Sequence, residues 1–170
     1  MKFIKSLYLT QRFFLVMAIF ILAMTLSYSF PFLMAVVKAG CVLFVILCCI
    51  DIILLYNKGV VIAVRRETPP VLSLGDENPI RLSLFSKASI HLQVQLIDEL
   101  PEQFQQRNFR LDFTLHPHTP FEQVYHLRPV TRGEYFFGMI HVYITSTLGP
   151  IKRRMSCTGE ASIPVYPSII

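Results

Sequence analysis

The chain has 170 residues, enough for one or two small domains, and a mean hydropathy of +0.50, which is high for a soluble protein. Its net charge of +5 is unevenly placed, because residues 1–66 carry seven basic residues and one acid whereas residues 67–170 carry nine basic residues and ten acids. The second part therefore lacks the basic surface of a nucleic-acid-binding protein, and we predict no nucleic-acid partner.

An almost uninterrupted apolar stretch runs from Phe13 to Tyr56, and Lys38 is its one charge before Asp51. About 20 apolar residues span a bilayer, so this stretch is long enough for two crossings. A secretory signal peptide is the rival interpretation, since the stretch has a basic start and an apolar core. No small-x-small cleavage site follows it, however, and a second apolar segment does.

A proline marks the turn between the two predicted helices. Proline lacks the backbone donor but is tolerated in the first turn of a helix, so Pro31 is suited to begin the second one. We predict membrane helices at about 11–28 and 31–56, within an anchor region of residues 1–59. Thr10 is placed to cap the first helix.

Basic residues flank both ends of this helical hairpin and predict its orientation. Cytoplasmic flanks carry an excess of Lys and Arg, and the turn between the helices has only Lys38 near it, whose long side chain can reach outward. We therefore predict that both ends of the hairpin, and the domain that follows it, lie in the cytoplasm. The flanking basic residues are Lys2, Lys5, Arg12, Lys58, Arg65 and Arg66.

Asp51 lies inside the second predicted helix, where a carboxylate is costly and is usually paired or functional. It is about one turn from the cytoplasmic end of that helix, and Arg12 lies near the matching end of the first. We predict an intramembrane pair of Arg12 and Asp51, or else simple snorkelling of the carboxylate. The other hypothesis is a proton or ion pathway in a small transporter subunit. It would rest on Asp51 and Lys38, and two helices would form such a pathway only as an oligomer.

From Val71 onward the apolar residues recur at every second position, which is the period of a β-strand. About seven or eight short strands separated by turn clusters favour an antiparallel immunoglobulin-like sandwich. We assign it to residues 60–170, with Arg65–Pro70 as a polar junction and Tyr135 as a tyrosine corner whose hydroxyl bonds back to the backbone. The clearest core positions are Ile80, Leu82, Leu84, Leu92, Val94, Leu96, Ile140, Val142 and Ile144.

The motifs of catalysis and cofactor binding are absent from the sequence. It contains no glycine-rich phosphate loop, no Cys-x-x-Cys and no Gly-x-Ser-x-Gly. His116 and His118 lack an evident third ligand, so we predict no metal, no cofactor and no enzyme activity. Cys157 is predicted to be a small apolar filler. Lys152-Arg153-Arg154 is predicted to be a solvated strand end, with a contact to anionic lipid as the alternative.

Several short motifs follow one another in a recognisable order after the hairpin. They are Asp98-Glu99-Leu100-Pro101, Arg132-Gly133-Glu134-Tyr135, Gly138, Leu148-Gly149 and Val165-Tyr166-Pro167. In this order the chain resembles, over essentially its whole length, the N-terminal half of bacterial membrane proteins of the domain-of-unknown-function-58 family. The resemblance implies a multi-pass protein of the bacterial inner membrane and a MoxR-type AAA+ ATPase as partner.

The resemblance also shows two departures. In that family the Val-Tyr-Pro segment leads into a von Willebrand factor A-like region, whereas this chain stops at Ile170 and contains no Asp-x-Ser-x-Ser motif. We expect it to be the N-terminal part of a longer protein. Where the family often has Asp-Pro-x-Gly, the chain has Ser146-Thr147-Leu148-Gly149.

Together these features predict a non-catalytic, membrane-anchored scaffold or interaction module that faces the cytoplasm. Its first predicted partner is the lipid bilayer. Its candidate contact residues for a protein partner lie in two turns, and the alternative interpretation is that these turns only set the register of the strands. An envelope-exposed β-sandwich binding module is the second hypothesis, opposed by the basic residues after the second helix. The seven candidate contact residues are Asp98, Glu99, Leu100, Pro101, Arg132, Gly133 and Tyr135.

Overall fold

The computed structural model describes residues 6–57, 59–106 and 109–167, which form two long N-terminal helices and an all-β region. Helix α1 spans Gln11–Leu26 and runs into a short 3₁₀ turn at Ser27–Ser29, and helix α2 spans Pro31–Tyr56. Both are long and apolar enough to cross a membrane, and the predicted bounds match them closely. Three basic residues used to predict the orientation lie outside the described residues: Lys2, Lys5 and Lys58.

The two helices pack on each other through aromatic rings and one glycine. The Phe44 ring of α2 lies 5.6 Å from Phe13 and 5.9 Å from Phe20 of α1, measured between ring centroids. A Cβ on Gly40 would lie 3.1 Å from the Phe20 ring, so glycine gives this ring room against α2. Pro31 occupies the first turn of α2, as predicted.

In the described residues one strand precedes α1 and ten follow α2, more than the seven or eight predicted, and two of them have only three residues. The bounds are β1 Leu7–Leu9, β2 Ile62–Glu67, β3 Leu72–Leu74, β4 Asn78–Ser86, β5 Leu92–Asp98, β6 Arg110–Leu115, β7 Pro120–Leu127, β8 Gly133–Phe137, β9 Ile140–Thr145, β10 Ile151–Cys157 and β11 Ala161–Pro167.

The strands form a β-sandwich. One five-stranded sheet has the order β1-β10-β9-β5-β6, and the two three-stranded sheets have the orders β2-β4-β7 and β3-β11-β8. Every pair is antiparallel except β3 with β11. Side chains join β7 to the five-stranded sheet, since the Phe113 and Phe121 rings stack 4.3 Å apart. This division of strands, with β2-β4-β7 facing β5, β9 and β10, is that of an immunoglobulin-like sandwich.

The predicted alternation is confirmed along β4, β5 and β9, where every second side chain enters the core. The predicted polar junction at Arg65–Pro70 is wrong in its first part, because Arg65 to Glu67 belong to β2. In β2 the inward positions are Ile62, Val64 and Arg66, so Arg66 points into the sandwich in phase with two aliphatic residues.

The predicted tyrosine corner is confirmed at the connection between β7 and β8. Tyr135 is fully buried, and its hydroxyl donates to the Thr131 carbonyl over 3.0 Å. The Thr131 hydroxyl lies 2.9 Å from the same oxygen. This hydrogen bonding fixes the turn that precedes β8.

Strand β1 was not predicted, and it determines how the helices meet the sandwich. Leu7 and Leu9 pair with Arg153 and Ile151 of β10, directly before α1 begins. The chain therefore enters α1 and leaves α2 at the same end of the sandwich, the end at which β9 turns into β10. From there β10 and β11 run away from the helices, so Pro167 lies at the opposite end.

Candidate functional site at the helix–sandwich junction

Asp51 links helix α2 to the turn between β9 and β10. The residue is fully buried, and its carboxylate accepts hydrogen bonds from the Ser146 hydroxyl and, over 3.1 Å, from the Ile151 backbone N–H. The Ser146 oxygen in turn accepts from the backbone N–H groups of Leu148 and Gly149. A helix residue and a β-turn are thus joined in one polar network, in which the buried carboxylate is satisfied by donors.

Arg153 of β10 makes a second link to the same helix. Its guanidinium donates to the Leu55 carbonyl over 2.6 Å and lies 4.7 Å from the centre of the Tyr56 ring. The last four carbonyls of a helix have no partner within it, and a basic side chain near the C-terminus is a favourable donor to them. Arg153 therefore stabilises the end of α2 against the sandwich.

Thr10 makes the third link, on the side of α1. Its backbone N–H donates to the Pro150 carbonyl over 3.1 Å, and its hydroxyl donates to the Gly149 carbonyl over 2.6 Å. The predicted helix start at Gln11 is confirmed, but the Thr10 side chain makes no capping hydrogen bond to α1. Thr10, Asp51, Ser146, Ile151 and Arg153 form what we call the helix–sandwich junction.

The predicted Arg12–Asp51 pair does not form. Asp51 takes its donors from the sandwich, and no ion pair in the described residues joins it to Arg12. The Arg12 guanidinium lies instead against Gly149, where an added Cβ would be 2.7 Å from Nη1. Gly149 also has φ of +78°, so both its backbone conformation and the approach of Arg12 favour glycine.

A second buried carboxylate, Asp98, joins the two layers of the sandwich. Its side chain is fully buried and forms an ion pair with Arg66 of β2, whose side chain is only 2% exposed. The Tyr125 hydroxyl of β7 donates to the other oxygen of Asp98 over 2.6 Å. Arg66 also donates to the carbonyls of Gly138 and Gly159 and lies over the Phe137 ring. One arginine thus bonds to several strands and connections.

Burial dominates the titration of this network. It raises the pKa of Asp98 above the ordinary value, and the charge of Arg66 and the Tyr125 hydroxyl oppose that shift. The pKa of Tyr125 is likewise raised by burial and by the neighbouring Asp98. Tyr125 therefore stays protonated and able to donate, and the network is structural in character.

A polar cluster on the outer face of the five-stranded sheet places a serine, a histidine and a glutamate in line. His141 lies 3.0 Å from the Ser156 oxygen through Nδ1 and 2.7 Å from Glu99 through Nε2. The His141 contact holds the pKa of Glu99 below its ordinary value. Ser156 lies within strand β10 and not at the strand-to-helix turn that presents the catalytic serine in α/β-hydrolases, and Arg154 lies within 3.4 Å of the imidazole. The arrangement supports sheet pairing and is not assigned to catalysis.

The seven candidate contact residues differ in their burial. Asp98, Pro101 and Tyr135 are buried, and Leu100 packs half-buried against the core, so these four are occupied within the domain. Glu99 is exposed but bonds to His141 and to the Met139 N–H. Arg132 and Gly133 remain exposed, in the turn held by the tyrosine corner.

The surroundings of the histidines at one turn and of Cys157 are typical of structural residues. The His116 ring meets His91 at 5.0 Å, and no group of three metal-ligating side chains occurs in the described residues. Cys157 packs half-buried beside the core, and burial raises the pKa of its thiol. Its surroundings are those of the predicted apolar filler.

Sequence reasoning named Arg66 and Asp98 but missed their burial and their pairing, although a signal was present. Asp98 continues the inward series Leu92, Val94 and Leu96, and Arg66 continues the inward series of β2. Two opposite charges in phase with core residues on different strands are a recognisable sign of a buried ion pair. The motif Asp98–Pro101 therefore has a packing reason, since Asp98 belongs to the core.

Comparison with known proteins adds little beyond the fold. No protein-family model and no curated protein matches the chain. Similar solved structures include the CARDB domain of PF1109 from Pyrococcus furiosus in complex with di-metal ions, with 9% identity and a TM-score of 0.45 over 64% of this chain and 90% of that one. The ASH/PapD-like domain of human CEP192 has 13% identity and a TM-score of 0.47 over 64% and 87%. The assignment of a β-sandwich therefore depends on the strand pairing in the structure.

We expect Arg66→Met to lower the free energy of unfolding of the β domain by about 3–5 kcal/mol, because it leaves the buried Asp98 carboxylate without a counter-charge. The neighbouring Arg65 side chain is 81% exposed, so Arg65→Met is the matched control and should change stability by less than about 0.5 kcal/mol. Denaturant unfolding of the detergent-solubilised chain, followed by far-UV circular dichroism, measures both. Equal effects of the two substitutions would show that the buried pair has no special role.

We expect Asp51→Ala to loosen the helix–sandwich junction, because Ser146 and Ile151 lose their buried acceptor. Amide hydrogen exchange of the segment 146–151 should become faster by about tenfold, which corresponds to one buried hydrogen bond. Asp76→Ala, at an exposed turn far from the helices, is the control and should leave this segment unchanged. Unaltered exchange in Asp51→Ala would mean that the junction is held without the carboxylate.

Proposed function

We propose that this chain is a non-catalytic, membrane-anchored interaction module whose β-sandwich faces the cytoplasm of a bacterial cell. The observation that supports it best is the helix–sandwich junction, where both helices are tied to the beginning of β10. A domain on a flexible tether would need none of these contacts. A domain held this way keeps one orientation relative to the membrane, as a scaffold requires.

The length of α2 fits this proposal. The helix has 26 residues, whereas about 20 apolar residues span a bilayer. If residues 31–50 cross the membrane, the last turns lie within the interface with the sandwich, and Asp51 lies at the membrane boundary. Since Asp51 is bonded to Ser146 and Ile151, its burial needs no ion pathway to explain it. The transporter hypothesis, which rests on Asp51 and Lys38, therefore loses the support of Asp51.

The surface that we propose for a partner lies in the half of the sandwich farther from the helices. We call it the distal patch, and it consists of Val130, Arg132, Phe136 and Tyr166. Val130 is 73% exposed, Phe136 64% and Tyr166 59%. Exposed aromatic residues and arginine are typical of protein–protein contact sites. The family resemblance makes a MoxR-type AAA+ ATPase the partner that we propose.

The orientation is tested by thiol labelling in intact cells. In a background with all four cysteines replaced by alanine, Tyr28→Cys probes the turn between the helices, where Tyr28 is 84% exposed, and Glu77→Cys probes an exposed turn of the sandwich. A membrane-impermeant maleimide should label the first in intact cells and the second only after permeabilisation. The reverse pattern would favour the envelope-exposed module.

The partner is tested by co-purification of the detergent-solubilised full chain with the MoxR-type ATPase of the same organism. We expect Arg132→Glu combined with Phe136→Ser to weaken the complex by about tenfold or more, since both residues lie in the distal patch. The matched control changes the same residue classes elsewhere, Lys87→Glu with Phe85→Ser, and should leave binding intact. No complex with the unaltered chain, or equal losses in both variants, would contradict the proposed docking.

A further inference from the structure

A groove on the outer face of the five-stranded sheet opens where the chain passes from β1 into α1. It has a volume of about 450 Å³, within the range of about 300–1,000 Å³ that is common for small-molecule sites. Residues 9–12 form one wall, and side chains of β5, β9 and β10 form its floor. Besides Thr10 and Gln11, the polar residues that line it are Arg12, Gln93, Gln95, Arg110, Thr145 and Lys152.

The lining is cationic. Arg12, Arg110 and Lys152 are its charged members, and no acid lines this groove. Asp112, in the adjoining depression, neutralises Arg110 over 2.9 Å. In the part of the chain that the structure describes, Lys152 forms no ion pair, donates to the neutral Gln95 and lies 5.8 Å from the centre of the Tyr143 ring. Two of the three positive charges are thus uncompensated.

Arg12 is held at the groove without a protein counter-charge. The described residues offer its guanidinium no ion pair and no hydrogen bond, although Gly149 gives it room beside the turn between β9 and β10. The side chain at the first turn of α1 is therefore placed against the sandwich with its donors available. A guanidinium with free donors is suited to bidentate contact with phosphate.

We propose that this groove binds the phosphate of an anionic glycerophospholipid headgroup, with Arg12 and Lys152 as the charged contacts and Gln93 and Thr145 as neutral donors. The proposal rests on the membrane anchoring described above, because α1 enters the bilayer directly beyond Arg12. Its position places the groove at the level of the headgroups. Basic side chains near an anionic leaflet favour binding by about 1 kcal/mol each.

The test is native mass spectrometry of the full chain in micelles, titrated with phosphatidylglycerol, with phosphatidylcholine or with soluble glycerol 3-phosphate. We expect one phosphatidylglycerol to bind about thirtyfold more tightly than phosphatidylcholine, because two uncompensated charges of about 1 kcal/mol each correspond to that factor. Arg12→Gln combined with Lys152→Gln should remove this preference, and Arg12→Lys should retain part of it. Lys87→Gln, an exposed lysine at the helix-facing end of β4 but outside the groove, should keep it.

Equal binding of the two lipids, or an equal loss in Lys87→Gln, would overturn the proposal and leave only non-specific charge attraction. Glycerol 3-phosphate that binds as tightly as the lipid and displaces it would show that the ligand is a soluble phosphate. Carbonate extraction of native membranes tests the membrane anchoring separately from the lipid site. A chain that resists extraction but shows no lipid preference is anchored without this site, whereas a chain that is extracted contradicts the membrane anchoring itself.

Discussion

A buried carboxylate must be given hydrogen-bond donors, and at Asp51 the sandwich supplies them. The Ser146 hydroxyl and the Ile151 N–H satisfy a charge that the helix by itself leaves exposed to an apolar environment. The end of α2 and the turn between β9 and β10 therefore stabilise each other. This dependence makes the helical hairpin and the sandwich one unit, and the arrangement of the rest of the molecule follows from it.

The first residues of β10 are where this unit is assembled. Thr10 bonds to the carbonyls of Gly149 and Pro150, β1 adds to the edge of β10, and Arg153 reaches back to the end of α2. The same convergence creates the cationic groove, since it brings residues 9–12 over the sheet. The proposed membrane anchoring and the proposed headgroup site thus depend on one packing arrangement.

The Arg66–Asp98 pair has a comparable role inside the sandwich. It joins β2 to β5, and the Tyr125 hydroxyl adds β7 to the same network. A pair of this kind contributes modestly in itself, because desolvation offsets its attraction, but either charge alone would be strongly unfavourable. The turn after Asp98 is therefore constrained from within the core, which leaves the distal patch as the better candidate for contact with a partner.

Much of this fold can be predicted from the sequence alone. The apolar run with Pro31 at its turn determined both helices, and the period of two determined the strands and their inward residues, because these are local patterns of one segment. The tyrosine corner was also local, since Tyr135 bonds to a residue only four positions earlier. The tertiary structure decided the partners of the charges. Asp51 binds residues about a hundred positions away in the sequence and not Arg12. Arg66 pairs with Asp98 across the two layers of the sandwich. Which charged groups pair depends on how the elements pack, and the spacing of residues in the sequence does not contain that information.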